Sequence, residues 1–81
     1  MRIYGSEPGE PGVEVPGHRY AALIGGPLDG QLIDVTGWSR QQLVDGAALI
    51  TELGRFGPGG RALYEALPGD LDRLHWVGDT P

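Results

Sequence analysis

Eighty-one residues without a cysteine bound the chain to one small domain, because a chain this short buries only roughly 60% of the surface its unfolded form exposes. The missing thiols exclude a disulfide framework, a thiolate nucleophile and cysteine-based zinc sites, and make a reducing compartment the default. A net charge of −5, with its six cations scattered singly, argues against a nucleic-acid partner, whose phosphates demand clustered cations.

All six cations are arginine, lysine and asparagine are absent, and Gly, Ala, Pro and Leu are abundant, a composition of GC-rich coding sequence. An acidic surface of this kind favours solubility or a basic partner. No basic, then apolar leader opens the chain, and no run approaches the roughly 18 apolar residues of a membrane span, so a cytoplasmic protein without a membrane partner is expected.

Residues 1–18 read as a flexible, Pro/Gly/Glu-rich N-terminal arm. Between Gly5 and Gly17 lie Pro8, Pro11 and Pro16, four glycines and three glutamates, a mixture that neither holds a helix nor buries enough apolar surface to offset ordering. A polyproline-like conformation or docking on a partner subunit are its ordered alternatives. Arg2-Ile3-Tyr4 reads as a stray strand end.

A single small β-rich domain is expected over residues 19–81. Arg19 to Ile24 is the first strand and Gln31 to Val35 the second. Both faces of the first are apolar, which suggests a central strand. Between them Gly25-Gly26-Pro27-Leu28-Asp29-Gly30 is a hairpin turn: Pro27 presets φ at the second turn position, Asp29 bonds nearby backbone, and Gly30 takes a left-handed conformation.

A short helix follows at about 39–45. Ser39 and Gln42 have the spacing of a capping box, Trp38 and Leu43 that of a hydrophobic staple, and Gly46 supplies a stop. Two turns do not survive alone, so this helix must pack on the sheet, with Trp38 as its anchor.

Ala47 to Leu53 and Arg61 to Leu67 both alternate as strands do. Ala and Leu also favour helix, and that alternative stays open for both segments. Arg55 to Gly60 is a connecting loop, Pro68-Gly69-Asp70 a break, Arg73 to Val77 the last strand, and Gly78 to Pro81 a polar end. Five short strands at this spacing predict a mainly β fold, a small antiparallel meander or partly open barrel with one short helix.

Reactive constellations are sparse. His18 and His75 lack the acidic or cysteine neighbours of a metal cluster, and alternation places a core Trp76 opposite a solvated His75. Ser39 has no nucleophile elbow and is accounted for by capping. Gly57-Pro58-Gly59-Gly60-Arg61 lacks the Lys and Ser/Thr of a phosphate loop, and Asp70, Asp72 and Asp79 read as a solvated acidic surface. No catalytic residue, cofactor, metal or small-molecule substrate is expected. The candidate partner-contact residues are Arg55, Phe56 and Arg61, which offer guanidinium groups and a ring on one loop, and Trp38. Trp38, Tyr64 and Trp76 are the aromatics expected to fill a small core, with a place at an interface left open for either tryptophan.

The GGPLDG turn after an apolar strand, the stretch Gly57-Pro58-Gly59-Gly60-Arg61-Ala62-Leu63-Tyr64 and the terminal His75-Trp76-Val77-Gly78-Asp79 together resemble small uncharacterised proteins of GC-rich actinobacteria and their phages. The resemblance spans residues 19–81 and implies a phage or prophage context. It makes a virion accessory or assembly role the expectation: a non-enzymatic binding or structural module, cytoplasmic or virion-associated, with a protein partner or self-association. The alternative, motivated by the charge of −5, is an acidic inhibitor of a host protein such as a nucleic-acid enzyme or defence factor.

Overall fold

The computed structural model describes residues 2–5 and 13–81. Its elements are β1 (Tyr20–Ile24), β2 (Leu32–Asp34), α1 (Arg40–Asp45), β3 (Ala47–Ile50), β4 (Arg61–Leu67) and β5 (Asp70–Thr80). The five strands form one sheet in the order β2-β1-β5-β4-β3. It is curled into a half-barrel, so of the two expected arrangements the partly open barrel is the one adopted. Register shifts between Leu63 and Tyr64 and between Ala66 and Leu67 supply the bends that a curled sheet needs. The expected antiparallel pairing holds for β1–β2, β3–β4 and β4–β5, but β1 and β5 run parallel. Turn residues fix the hairpins between sequence neighbours, whereas this pairing is set by burial: Leu23 and Leu74 lie side by side, both fully buried.

Alternation decides the two segments left open between strand and helix, and both are strands. In β4 the buried residues are Ala62, Tyr64 and Ala66, one face of a pleated strand. β3 ends at Ile50 rather than Leu53, because the Thr51 hydroxyl accepts the Leu53 amide at 3.1 Å and turns the chain out of the sheet. β5 is longer than expected in both directions. Gly78, Asp79 and Thr80 are not a polar tail but pair with Leu63, Ala62 and Arg61. The core on the concave face joins Ala21, Leu23, Ile33, Leu49, Tyr64 and Leu74 to Leu28 of the turn, Val35 and Leu43 of α1.

α1 starts as the capping box requires. Gln42 N donates to Ser39 Oγ at 3.1 Å, and Ser39 N donates to Gln42 Oε1 at 2.7 Å. Trp38 is half-buried against the core. Gly46 at the other end has φ +83°, and a Cβ there would overlap the Tyr64 carbonyl and the Glu65 side chain.

The chain start joins the sheet. Ile3 bridges Leu32 in parallel, with Tyr4 N donating to Leu32 O at 2.7 Å and Leu32 N to Arg2 O at 2.8 Å. The Tyr4 hydroxyl then donates to Ile50 O at 2.9 Å. β2 and β3 are the two edges of the sheet, so one tyrosine spans the mouth of the half-barrel. Arg2 to Tyr4, grouped above with the arm, thus pack with the domain. Residues 6–12, the heart of the expected arm, lie outside the described residues.

Tyr64 organises the other end of the core. Its hydroxyl, fully buried, donates to Gly25 O at 2.7 Å and accepts the Leu28 amide at 3.0 Å. Burial, reinforced by Asp29 and Asp79, raises its pKa above the ordinary 10.0. Tyr64→Phe strands both backbone groups and is expected to cost about 2 kcal/mol or more, a melting temperature lower by roughly 10 °C. A phenol that is held neutral by burial stabilises the fold fully below pH 10 and loses that contribution as pH rises through its higher folded value, so the same variant should also flatten the alkaline limb of stability. Gly46→Ala, forced to positive φ against backbone, is expected to lose about 1–3 kcal/mol in denaturant titration.

Candidate protein-contact surface

Next to the barrel end that Tyr64 closes, the turn at 25–30 and the end of β5 form one exposed surface. Within the turn, Asp29 N donates to Gly26 O at 3.3 Å, which puts Pro27 at the second turn position, and Gly25 N donates to Asp29 Oδ1 at 2.6 Å. Gly25, Gly26 and Gly30 all have positive φ. Gly26 has a further reason to be glycine: a Cβ there would overlap the Trp76 indole. The turn is therefore the seat of an aromatic ring as well as a hairpin connection.

Trp76 is not core. Its register partner Tyr64 takes the buried position on the same face, and the indole is left at the rim, 42% exposed. The ring is held there by its own Nε1, which donates to Asp79 Oδ1 at 2.8 Å. The second oxygen of that carboxylate accepts the Arg55 amide at 2.8 Å and so fixes the loop that joins β3 to β4. Arg55 in turn lies over the Phe56 ring, 5.8 Å from its centroid, within cation–π range. Phe56 is 44% exposed. One carboxylate thus holds the Trp76 indole and the backbone of the loop on which Arg55 lies over Phe56. Asp79, expected to belong to a solvated acidic surface, is the joint of this assembly. The other two acids fit that expectation better: Asp70 pairs with Arg73 at 2.8 Å and Asp72 with Arg19 at 3.5 Å, both on the surface.

Of the four residues singled out from sequence, Arg55 and Phe56 fall on this surface and are in contact. Arg61 does not join them. It lies on the exposed outer face of β4, whereas the next residue, Ala62, points into the core beside Asp79. Trp38 sits elsewhere, before α1. The loop at 57–60 is a pair of successive turns, with Gly57 N donating to Gly54 O at 3.1 Å and Gly60 N to Gly57 O at 3.0 Å. Sequence reading placed Asp79 on the surface and left Trp76 open between core and interface, but missed the bond between them, although their spacing of three was a usable signal for a local side-chain bond.

His75 also departs from expectation. Rather than solvated, it is half-buried on the outer face between Ile24 and Glu65, its Nε2 buried with no hydrogen-bond partner among the described residues. His18 gains a partner that its neighbours in sequence do not announce: its Nδ1 lies 2.7 Å from Asp34 Oδ2, and its ring stacks on Tyr20 at 6.4 Å. The other Asp34 oxygen accepts the Thr36 hydroxyl at 2.5 Å and the Thr36 amide at 2.9 Å. These bonds, those from Thr36 first and that from His18 next, lower the Asp34 pKa from 3.8 to about 2. With the Val15 amide donating to the Tyr20 hydroxyl at 2.8 Å, the cluster ties the segment before β1 to β2. Among the described residues no group of three or more His, Asp or Glu side chains stands together to hold a metal ion, and no helix is long and apolar enough to cross a membrane.

No protein-family model matches this chain, and neither does any curated protein or solved structure.

The Asp34 cluster predicts an acid limb. A carboxyl depressed in the folded state stabilises above its unfolded pKa of 3.8 and loses that contribution as pH falls towards about 2. Thermal melts of the wild type should therefore weaken between these values, and Asp34→Asn should be flatter over the same range. An unchanged slope in the variant would show that these bonds do not persist in solution.

Proposed function

We propose that this protein is a non-enzymatic protein-contact module, and that Trp76, Phe56 and Arg55 are its contact residues. The observation that carries this reading is the Asp79 carboxylate, which spends both oxygens fixing exposed groups, the Trp76 indole and the loop bearing Arg55 and Phe56. Trp, Tyr and Arg contribute most where proteins bind one another, and rings immobilised beforehand lose less entropy on contact. Val77, adjacent on β5, is exposed as well and adds to the apolar area offered. The module would serve as a virion accessory or assembly subunit of a phage or prophage. This part of the proposal rests on the resemblance of the GGPLDG turn and the His75–Asp79 segment to actinobacterial and actinophage proteins.

Light scattering across a concentration series, together with affinity capture from a host or phage lysate, tests the reading. Trp76→Ala and Phe56→Ala are each expected to weaken self-association or capture by about tenfold, as truncation of an anchor does, while Arg61→Ala on the opposite face leaves it unchanged. Asp79→Ala keeps both rings but frees them, and should weaken binding by a smaller factor. A strict monomer that captures nothing, or capture that is indifferent to Trp76 and Phe56, would overturn it.

A further inference from the structure

A second surface, with different chemistry, lies at the start of β3. Thr51 N donates to Gly60 O at 3.1 Å, and in an antiparallel pair the residues that exchange hydrogen bonds alternate. Leu49 and Ala47, two and four positions before Thr51, therefore face β4, while Ala48 and Ile50 turn their backbone groups outward. The Tyr4 hydroxyl agrees with this phase, since it reaches Ile50 O from outside the sheet. Among the described residues nothing else bonds to that edge, which leaves the Ala48 amide and carbonyl and the Ile50 amide open. Proteins ordinarily blunt such an edge with a charge, a proline or a covering segment. Residues 2–4 cover β2 in this way, but β3 reads Ala-Ala-Leu-Ile, uncharged and with Ala48 and Ile50 exposed, the latter at 60%.

Two adjoining concavities open where this edge begins. One, of about 220 Å³, is lined by Trp38, Gln42, Asp45 and Gly46. The other, of about 110 Å³, runs from Asp45 and Gly46 over Ala48 and Leu63 to Glu65. Gly46 is common to both, and its missing Cβ is what leaves room beside Glu65. Trp38 lines the first and Glu65 the second, Asp45 lines both, and neither holds a cationic side chain, in a chain of net charge −5.

We infer that the free edge of β3 receives an extended basic segment of a partner protein, which adds as a strand along Ala48 and places an arginine or lysine side chain at Asp45, where the concavity of Trp38 meets that of Glu65. Strand addition draws affinity from main-chain hydrogen bonds and specificity from pockets for alternate side chains. Both components are present here within a few residues. A guanidinium at Asp45 meets a carboxylate flanked by Glu65 on one side and the Trp38 indole on the other, whereas an acidic side chain is repelled. Tyr4 sets the limit of the added strand, because it already occupies the Ile50 carbonyl.

Two capped pentapeptides, acetyl-Thr-Val-Arg-Val-Thr-amide and the same peptide with Glu in place of Arg, test this on the full chain. Trp76→Phe leaves Trp38 as the sole tryptophan, read selectively by red-edge excitation that tyrosine does not absorb, and amide chemical shifts report on the edge. The Arg peptide should change Trp38 emission and move the Ala48 and Ile50 amides, and the Glu peptide should do neither. Asp45→Asn with Glu65→Gln should weaken the Arg peptide by about tenfold, the loss expected for charge-assisted contacts, while shifts elsewhere confirm an unaltered fold. Failure of both peptides to bind, equal binding of the two, or indifference to the double substitution would each overturn the inference. None of these readouts depends on the exposed Trp76 and Phe56 rings, so this surface and the proposed contact module stand or fall separately.

Discussion

The Tyr64 hydroxyl is the interaction on which the arrangement of this molecule depends. It lies in the core and yet is satisfied on both sides, donating to Gly25 O and accepting from Leu28 N. A buried phenol without partners would cost the fold; with two backbone partners it ties the turn at 25–30 to the core. Leu28 is drawn into the core as a result, and Gly26 is brought beneath Trp76. Because Tyr64 already fills the core position on that face, the larger indole opposite it is left at the rim. The exposed tryptophan is thus a consequence of the buried tyrosine.

From that rim the order passes outward through one carboxylate. Asp79 stands in β5 opposite Ala62, so its backbone is as rigid as the sheet, and its two oxygens transmit that rigidity to the Trp76 ring and to the loop at Arg55. Surface loops in small domains are commonly mobile because they make few such bonds. Here the loop that carries Phe56 is tied at its middle. That distinction between a displayed ring and a pre-positioned one is why this surface is the stronger candidate for recognition.

The half-barrel solves its edge problem unevenly. One edge is covered by the chain's own start, and Tyr4 reaches across to touch the other at a single carbonyl. A fully closed barrel would leave no backbone group to offer. The partial closure leaves a short, uncharged stretch of β3 open beside Asp45 and Glu65, and so a second place where an extended chain fits.

Local sequence determined much of the scaffold. The GGPLDG turn, the Ser39–Gln42 capping box, the alternation of β4 and the stop at Gly46 are all legible because each depends on φ/ψ preferences and hydrogen bonds within a few residues. The expectation of a mainly β, partly open barrel with one short helix followed from them. What sequence reading could not reach were contacts between distant positions: the parallel pairing of β1 with β5, the bond from Tyr4 to Ile50 across 46 residues, that from Tyr64 to Gly25 across 39, and the His18–Asp34 pair. Trp76 was a core candidate because large aromatic residues usually are buried, with an interface position left open. Its true place was decided by competition with Tyr64 for one volume, and only tertiary packing settles which of two aromatic residues is buried.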